Sequence, residues 1–199
     1  MLQLCVLVWV LVLVGCDNGP RLRPLGADAA VLAFGDSLTY GTGAPRGHSY
    51  PDVLAELLGR TVINGGVPGE LSGQGRERLP AQLDQHEPQL VILIHGGNDL
   101  LRKADPAKVV ANLRAMIRLT LDRGIDLILI GVPRPGLFVT PPPFYADLAR
   151  EYGVPYDGEI LHAILTDPAL KSDTVHPNAA GYRELALAIH RLILEAMRP

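Results

Sequence analysis

A serine hydroxyl is a poor nucleophile at neutral pH. It becomes a useful one when an imidazole takes its proton and a carboxylate orients that imidazole. Three residues of this 199-residue chain suit those parts. Ser37 stands in Gly35-Asp36-Ser37-Leu38, where an apolar run gives way to a helical segment. Asp173 and His176 stand in Asp173-Thr174-Val175-His176-Pro177, near enough in sequence for one loop to place both. Between them lie Gly69, in Asn64-Gly65-Gly66-Val67-Pro68-Gly69, and Asn98, in Gly96-Gly97-Asn98-Asp99. A glycine backbone N–H and a side-chain amide are donor types that stabilise an oxyanion. Together these residues could attack a carbonyl and hold the tetrahedral oxygen that results. Blander readings compete: Ser37 as a helix cap, Gly69 and Asn98 as turn residues, His176 as a surface histidine ahead of a helix.

The elements that must position these groups follow from hydrophobic patterning. Residues 30–34, 61–64, 90–95 and 126–132 are short apolar runs of the buried, parallel-strand type, with a short fifth strand at 154–156. Helical segments fall between them at 50–58, 77–85, 106–123, 143–152 and 179–197. Asp105 before Pro106 is a good N-cap with proline at the first helical position, and Asn178 is placed to cap the last helix. Alternating strands and helices predict a three-layer α/β/α sandwich around a mainly parallel, flavodoxin-like sheet of about five strands. Ligands of such sheets bind beyond the carboxyl ends of the strands. Ser37, Gly69 and Asn98 each follow a strand, so their loops and the late loop of Asp173 and His176 should meet.

Ser37, Gly69, Asn98 and His176, in that order within their four blocks, resemble the signature of the SGNH (GDSL) hydrolase superfamily. The likeness runs from about Val31 to the end of the chain. Residues 62–64, 68–70, 75–80 and 96–99 are similar to the bacterial thioesterase/lysophospholipase/arylesterase subgroup. The resemblance implies a serine esterase with Ser37, Asp173 and His176 as catalytic residues. Its implied oxyanion donors are the Ser37 and Gly69 backbone N–H groups and the Asn98 amide. It implies no metal or organic cofactor, and lysophospholipids, acyl thioesters or aryl esters as substrates. The loop at 133–144, with Leu137, Phe138 and Phe144 among prolines, corresponds to one that borders the acyl pocket in that subgroup; packing on the body or touching a membrane is the other reading. Asp36 and Asp99 read as structural, and His95 as a pocket-lining or core histidine. Two alternatives are a carbohydrate O-acetylesterase of the cell envelope and a metal-dependent phosphoesterase drawing on Asp36, His95, Asn98, Asp99 and His176.

Composition bounds the rest. The length suits one α/β domain with a short appendage, and a net charge of −3 gives no case for nucleic acid. Residues 2–14 are almost unbroken apolar sequence, the length of a signal-peptide core and short for a membrane span. Leu13-Val14-Gly15-Cys16 resembles the bacterial lipobox, although no Lys or Arg precedes the apolar run. The expected organisation is a lipoprotein signal peptide at 1–15, a lipidated Cys16 and tether at 16–28, and the hydrolase domain at 29–199. An uncleaved anchor and an ordinary signal peptide are the alternatives there. Cys5 falls in the discarded segment, so no disulfide is expected. The expected partners are a small ester or lipid substrate and a bacterial membrane, held on its periplasmic side through Cys16; a soluble periplasmic or secreted enzyme is the alternative address.

Overall fold

The computed structural model describes residues 19–134, 136 and 140–198. Five strands form one parallel sheet: β1 (Ala30–Gly35), β2 (Thr61–Gly66), β3 (Leu90–Ile94), β4 (Asp126–Ile130) and β5 (Tyr156–Asp157). Their spatial order is β2-β1-β3-β4-β5, the flavodoxin-like order expected from the sequence. Every residue of β3 is fully buried, because central parallel strands are covered on both faces. Edge strand β2 leaves Thr61 and Asn64 exposed.

Helices cover both faces. On one side pack α2 (Tyr50–Leu58), α7 (Ile160–Thr166) and α8 (Ala179–Ala196); on the other pack α3 (Ser72–His86), α5 (Pro106–Asp122) and α6 (Phe144–Tyr152). Helix α8 buries Tyr182, Leu185, Ile189 and Ile193, an i, i+3, i+7, i+11 stripe facing the sheet. The expected caps form. Asp105 accepts the Ala107 N–H at 2.9 Å, and the Asn178 side chain accepts the Gly181 N–H at 3.0 Å. Two short helices, α1 (Ser37–Tyr40) and α4 (Gly97–Leu101), begin directly after β1 and β3.

Three local expectations change. Helix α3 starts at Ser72, not residue 77, although Gly73 and Gly75 are poor helix formers. Tertiary contacts override propensity there: Asp99 holds both the backbone N–H and the hydroxyl of Ser72, each at 2.8 Å. The fifth strand is Tyr156–Asp157, while Val154 turns into the core instead. The described part of the expected tether is laid against the domain. Leu22 is buried and its N–H bonds the Ala196 carbonyl at 2.9 Å. Arg23 pairs with Asp126 at 3.1 Å, and Gly26 and Pro24 exchange hydrogen bonds with the Gln89 side chain at 3.1 and 2.8 Å. An extended strap of this kind has no periodicity to betray it, since its partners are the Ala196 carbonyl and scattered side chains of other elements. Residues 1–18, including Cys16, lie outside the described residues. Among the described residues, no helix is long and apolar enough to cross a membrane.

Candidate active site

The turn between β1 and α1 presents Ser37 at the carboxyl edge of the sheet. Asp36 caps α1 by accepting the Leu38 N–H at 3.1 Å, and is itself 1% exposed. Burial pushes its carboxyl above the ordinary range, against the pull of His95, the Leu38 N–H and His176. Ser37 opens the helix, and its carbonyl accepts the N–H groups of Gly41 and Thr42. Tyr182 of α8 supports the same turn from below, donating its hydroxyl to the Thr42 carbonyl at 2.7 Å.

The late loop arrives from the other side. It is closed by an antiparallel bridge between Lys171 and Pro177, and by the Ser172 N–H donating to the His176 carbonyl at 2.9 Å. Within it, Asp173 Oδ1 accepts the N–H groups of Val175 and His176 at 2.8 and 2.9 Å. Its Oδ2 lies 2.8 Å from His176 Nδ1, and His176 Nε2 lies 3.0 Å from Ser37 Oγ. Burial would push the Asp173 carboxyl up, but these bonds from His176 and Val175 outweigh it and hold the group below its ordinary value. A carboxylate against Nδ1 assigns the ring proton there, leaving the Nε2 lone pair facing the serine hydroxyl.

Asn98, in the first turn of α4, donates its amide to the Glu70 carbonyl at 3.0 Å and to Asp36 Oδ2 at 3.3 Å. Gly69 precedes Glu70 on the loop after β2, is exposed, and has φ +80°, a conformation that favours glycine. It is not among the residues that line the cavity beside Ser37. That cavity, about 350 Å³, is bounded by Ser37, Asn98 and His176 and walled by Leu38, Leu101, Val132, Leu165 and Val175. Lys171 also lines it, its ammonium bonded to the Leu165 carbonyl at 3.0 Å.

Residues 33–184 match the GDSL-like lipase/acylhydrolase family. The chain belongs to that family. It is 34% identical over 165 residues to an arylesterase of Vibrio mimicus, a match spanning 76% of this chain and 81% of the relative. It is 29% identical over 164 residues to the thioesterase 1/protease 1/lysophospholipase L1 of Escherichia coli strain K12, covering 78% of each. Among solved structures it is similar to AlinE4, an SGNH-hydrolase family esterase. The identity is 32% and the TM-score 0.66, over 88% of this chain and 100% of that one. The protein is thus an ester-hydrolysing enzyme of the SGNH type.

For a GDSL hydrolase the site contains a cluster that its motifs do not announce. Glu70 receives Arg78 on both carboxylate oxygens, at 2.7 Å each, and sits 3.1 Å from His95 Nε2. The Gly96 N–H donates to His95 Nδ1 at 2.9 Å, so Nε2 carries the ring proton and donates to Glu70. Burial acts against ionisation of Glu70, but Arg78 and His95 outweigh it and bring its pKa down to about 2. Arg78 also donates to the Gly65 carbonyl at 3.0 Å and lies over the Phe34 ring, 4.2 Å from its centroid. One ionic cluster therefore ties the ends of β2 and β3 to the Glu70 loop, whose carbonyl holds Asn98. Helix α3 can pass this close only because residue 75 is glycine: a Cβ there would stand 2.2 Å from His95 Nε2. The available signal was a glutamate directly after Gly69 and an arginine two turns into the following helix.

The remaining expectations divide. His95 is a core residue, 0% exposed, and Asp99 is structural through Ser72. Asp36 reaches across the site to Asn98, as a structural residue should. Leu137 and Phe138 lie outside the described residues. Phe144 stands apart from the cavity wall: it packs partly buried on the core, its ring centroid 4.6 Å from that of Tyr145. Opening α6 points it at the body of the protein. Val132, Pro133 and Gly136, at the start of the same loop, do line the cavity.

Proposed function

We propose that the protein is a serine esterase that cleaves carboxylic esters or thioesters with lipid-like acyl groups through an acyl-enzyme. The observation that carries this reading is the unbroken Ser37–His176–Asp173 relay opening into an apolar cavity. Ser37 Oγ attacks the carbonyl carbon as its proton passes to His176 Nε2, and Asp173 stabilises the imidazolium. The tetrahedral oxygen is received by the Ser37 backbone N–H and by Asn98, which line the cavity, and by the Gly69 backbone N–H that the family resemblance implies. The 3.3 Å bond from Asn98 to Asp36 is the weaker of its two and is the one the oxyanion displaces. His176 then protonates the leaving oxygen or sulfur, and water, deprotonated by His176 in turn, releases the acid. No metal or organic cofactor takes part in this scheme.

The cavity wall supports the choice of substrate class. Leu38, Leu101, Val132, Leu165 and Val175 offer a long acyl chain apolar contact and give a sugar few polar partners. We also place the enzyme outside the cytoplasm, held to a bacterial membrane through lipidated Cys16, on the strength of the apolar run and Leu13-Val14-Gly15-Cys16. The test is a series of p-nitrophenyl esters from acetyl to palmitoyl, with Ser37→Ala as control. Rates rising toward medium or long chains are the expected result. Turnover confined to the acetyl ester would point to a carbohydrate deacetylase, and turnover independent of Ser37 would remove the serine mechanism.

A further inference from the structure

We propose that, when the chain is held to a membrane at Cys16, its catalytic mouth faces away from that membrane. The enzyme then draws its esters from the aqueous phase and not from the bilayer that holds it. The inference rests on the anchoring and esterase readings above and deepens them by naming where the substrate comes from.

Helix α8 supplies the ruler. It begins at Ala179, three positions after His176, and its 18 residues span about 27 Å. At its far end the Ala196 carbonyl accepts the N–H of Leu22. The rest of the strap is bonded at the same pole. Its partners are Gln89 just before β3, Asp126 at the first position of β4, and Arg60 just before β2, which donates to the Gly26 carbonyl at 2.7 Å. Ser37 and Asn98 follow the opposite, carboxyl ends of the strands. Gly19 and Pro20 still line a surface groove beside Leu192, Glu195 and Ala196.

Covalent reach then decides the orientation. Cys16 stands six positions before Leu22, and six fully extended residues reach at most about 21 Å. That is shorter than the helix separating Leu22 from the catalytic loop, so the mouth cannot be turned down onto the surface where Cys16 sits. Freeing the strap would lengthen the tether, but it would expose Leu22 and strip Asp126 of Arg23.

The test uses the full chain from a lipoprotein-processing host, reconstituted at low density in phospholipid vesicles. Two substrates are compared: a fluorogenic long-chain ester carried in the same vesicles, and p-nitrophenyl butyrate in solution. A second protein carries about 20 Gly/Ser residues between Asn18 and Gly19, enough for the mouth to reach the surface. The linker should raise hydrolysis of the vesicle-borne ester by about tenfold or more and leave the soluble ester unchanged. Equal rates on the vesicle-borne ester with and without the linker would overturn the orientation. Cys16→Ser protein that stays with the vesicles would sink the anchoring reading, and the orientation with it. Loss of soluble-ester turnover in every form would instead sink the esterase reading.

Discussion

The two halves of the proposed active site are built in opposite ways. The proton-relay half is local: Asp173, Val175 and His176 lie within four residues, on a loop where the Asp173 side chain is 52% exposed. The oxyanion half is assembled from a distance. Asn98 is held by the carbonyl of Glu70, whose side chain is 5% exposed and locked by Arg78 from α3 and His95 from the end of β3. A solvent-facing loop can position a base if its hydrogen bonds are short-range and mutually consistent. A donor aimed at a developing charge needs a buried, preorganised frame.

Variants of the relay half should have the largest effects. Ser37→Ala should lower kcat by roughly ten-thousand-fold or more while the protein folds normally, since nothing else supplies the nucleophile. Single-turnover assays with the p-nitrophenyl esters and a thermal melt check both parts. Asp173→Asn should cost about ten-thousand-fold in kcat through the wrong imidazole tautomer. Near-normal turnover in that variant would mean that another group orients His176.

The oxyanion half should respond less steeply. Asn98→Ala should cost roughly 10²- to 10³-fold in kcat with little change in KM. Glu70→Gln turns an amide donor either toward Arg78 Nε or toward Arg78 Nη2 and the His95 Nε2–H together, so Arg78 loses an acceptor in both cases and His95 in the second. About tenfold or more in kcat should follow, with about 3 kcal/mol of stability lost, as when one partner of a buried ion pair is removed. If Glu70 acts through Asn98, the double variant should be scarcely slower than Asn98→Ala alone. Multiplying effects would assign Glu70 a purely structural role.

The same division governed what the sequence could reveal. Asp173 and His176 were legible because their contact is written in adjacent residues. The core strands were legible because a run such as Leu90–Ile94 is apolar throughout. Asn98 and Gly69 stood out only as members of a motif, and of the two only Asn98 lines the cavity beside Ser37. The burial of His95 was legible, but its cluster with Glu70 and Arg78 was not: the three meet only after α3 and β3 have packed, and isolated charges in a sequence carry no sign of burial. Phe144 misled for the converse reason, since an aromatic residue in a proline-rich loop looks the same whether it faces a pocket or, as here, the core. The strap at Leu22 was hidden because its partners are distant in sequence, that of the Leu22 N–H lying 174 residues away.

Acid should separate the halves by the smallest and most specific effect. Glu70 has a folded pKa of about 2 against an ordinary 4.5, so the native state binds its proton less readily than the unfolded chain. A depressed carboxylate pKa contributes stability that is fully present above the ordinary value and is lost as pH falls from about 4.5 toward about 2. Denaturant melts across that window should therefore show wild-type stability falling with a slope that Glu70→Gln lacks, by close to one proton. Asp173 is depressed as well, but its carboxyl is half open to water and its protonation breaks only the contacts of its own loop. Asp173→Asn should leave the acid slope of global stability nearly unchanged. Matching losses of slope in the two variants would mean that the late loop is as tightly coupled to the core as the buried cluster, and that the two halves form one cooperative frame.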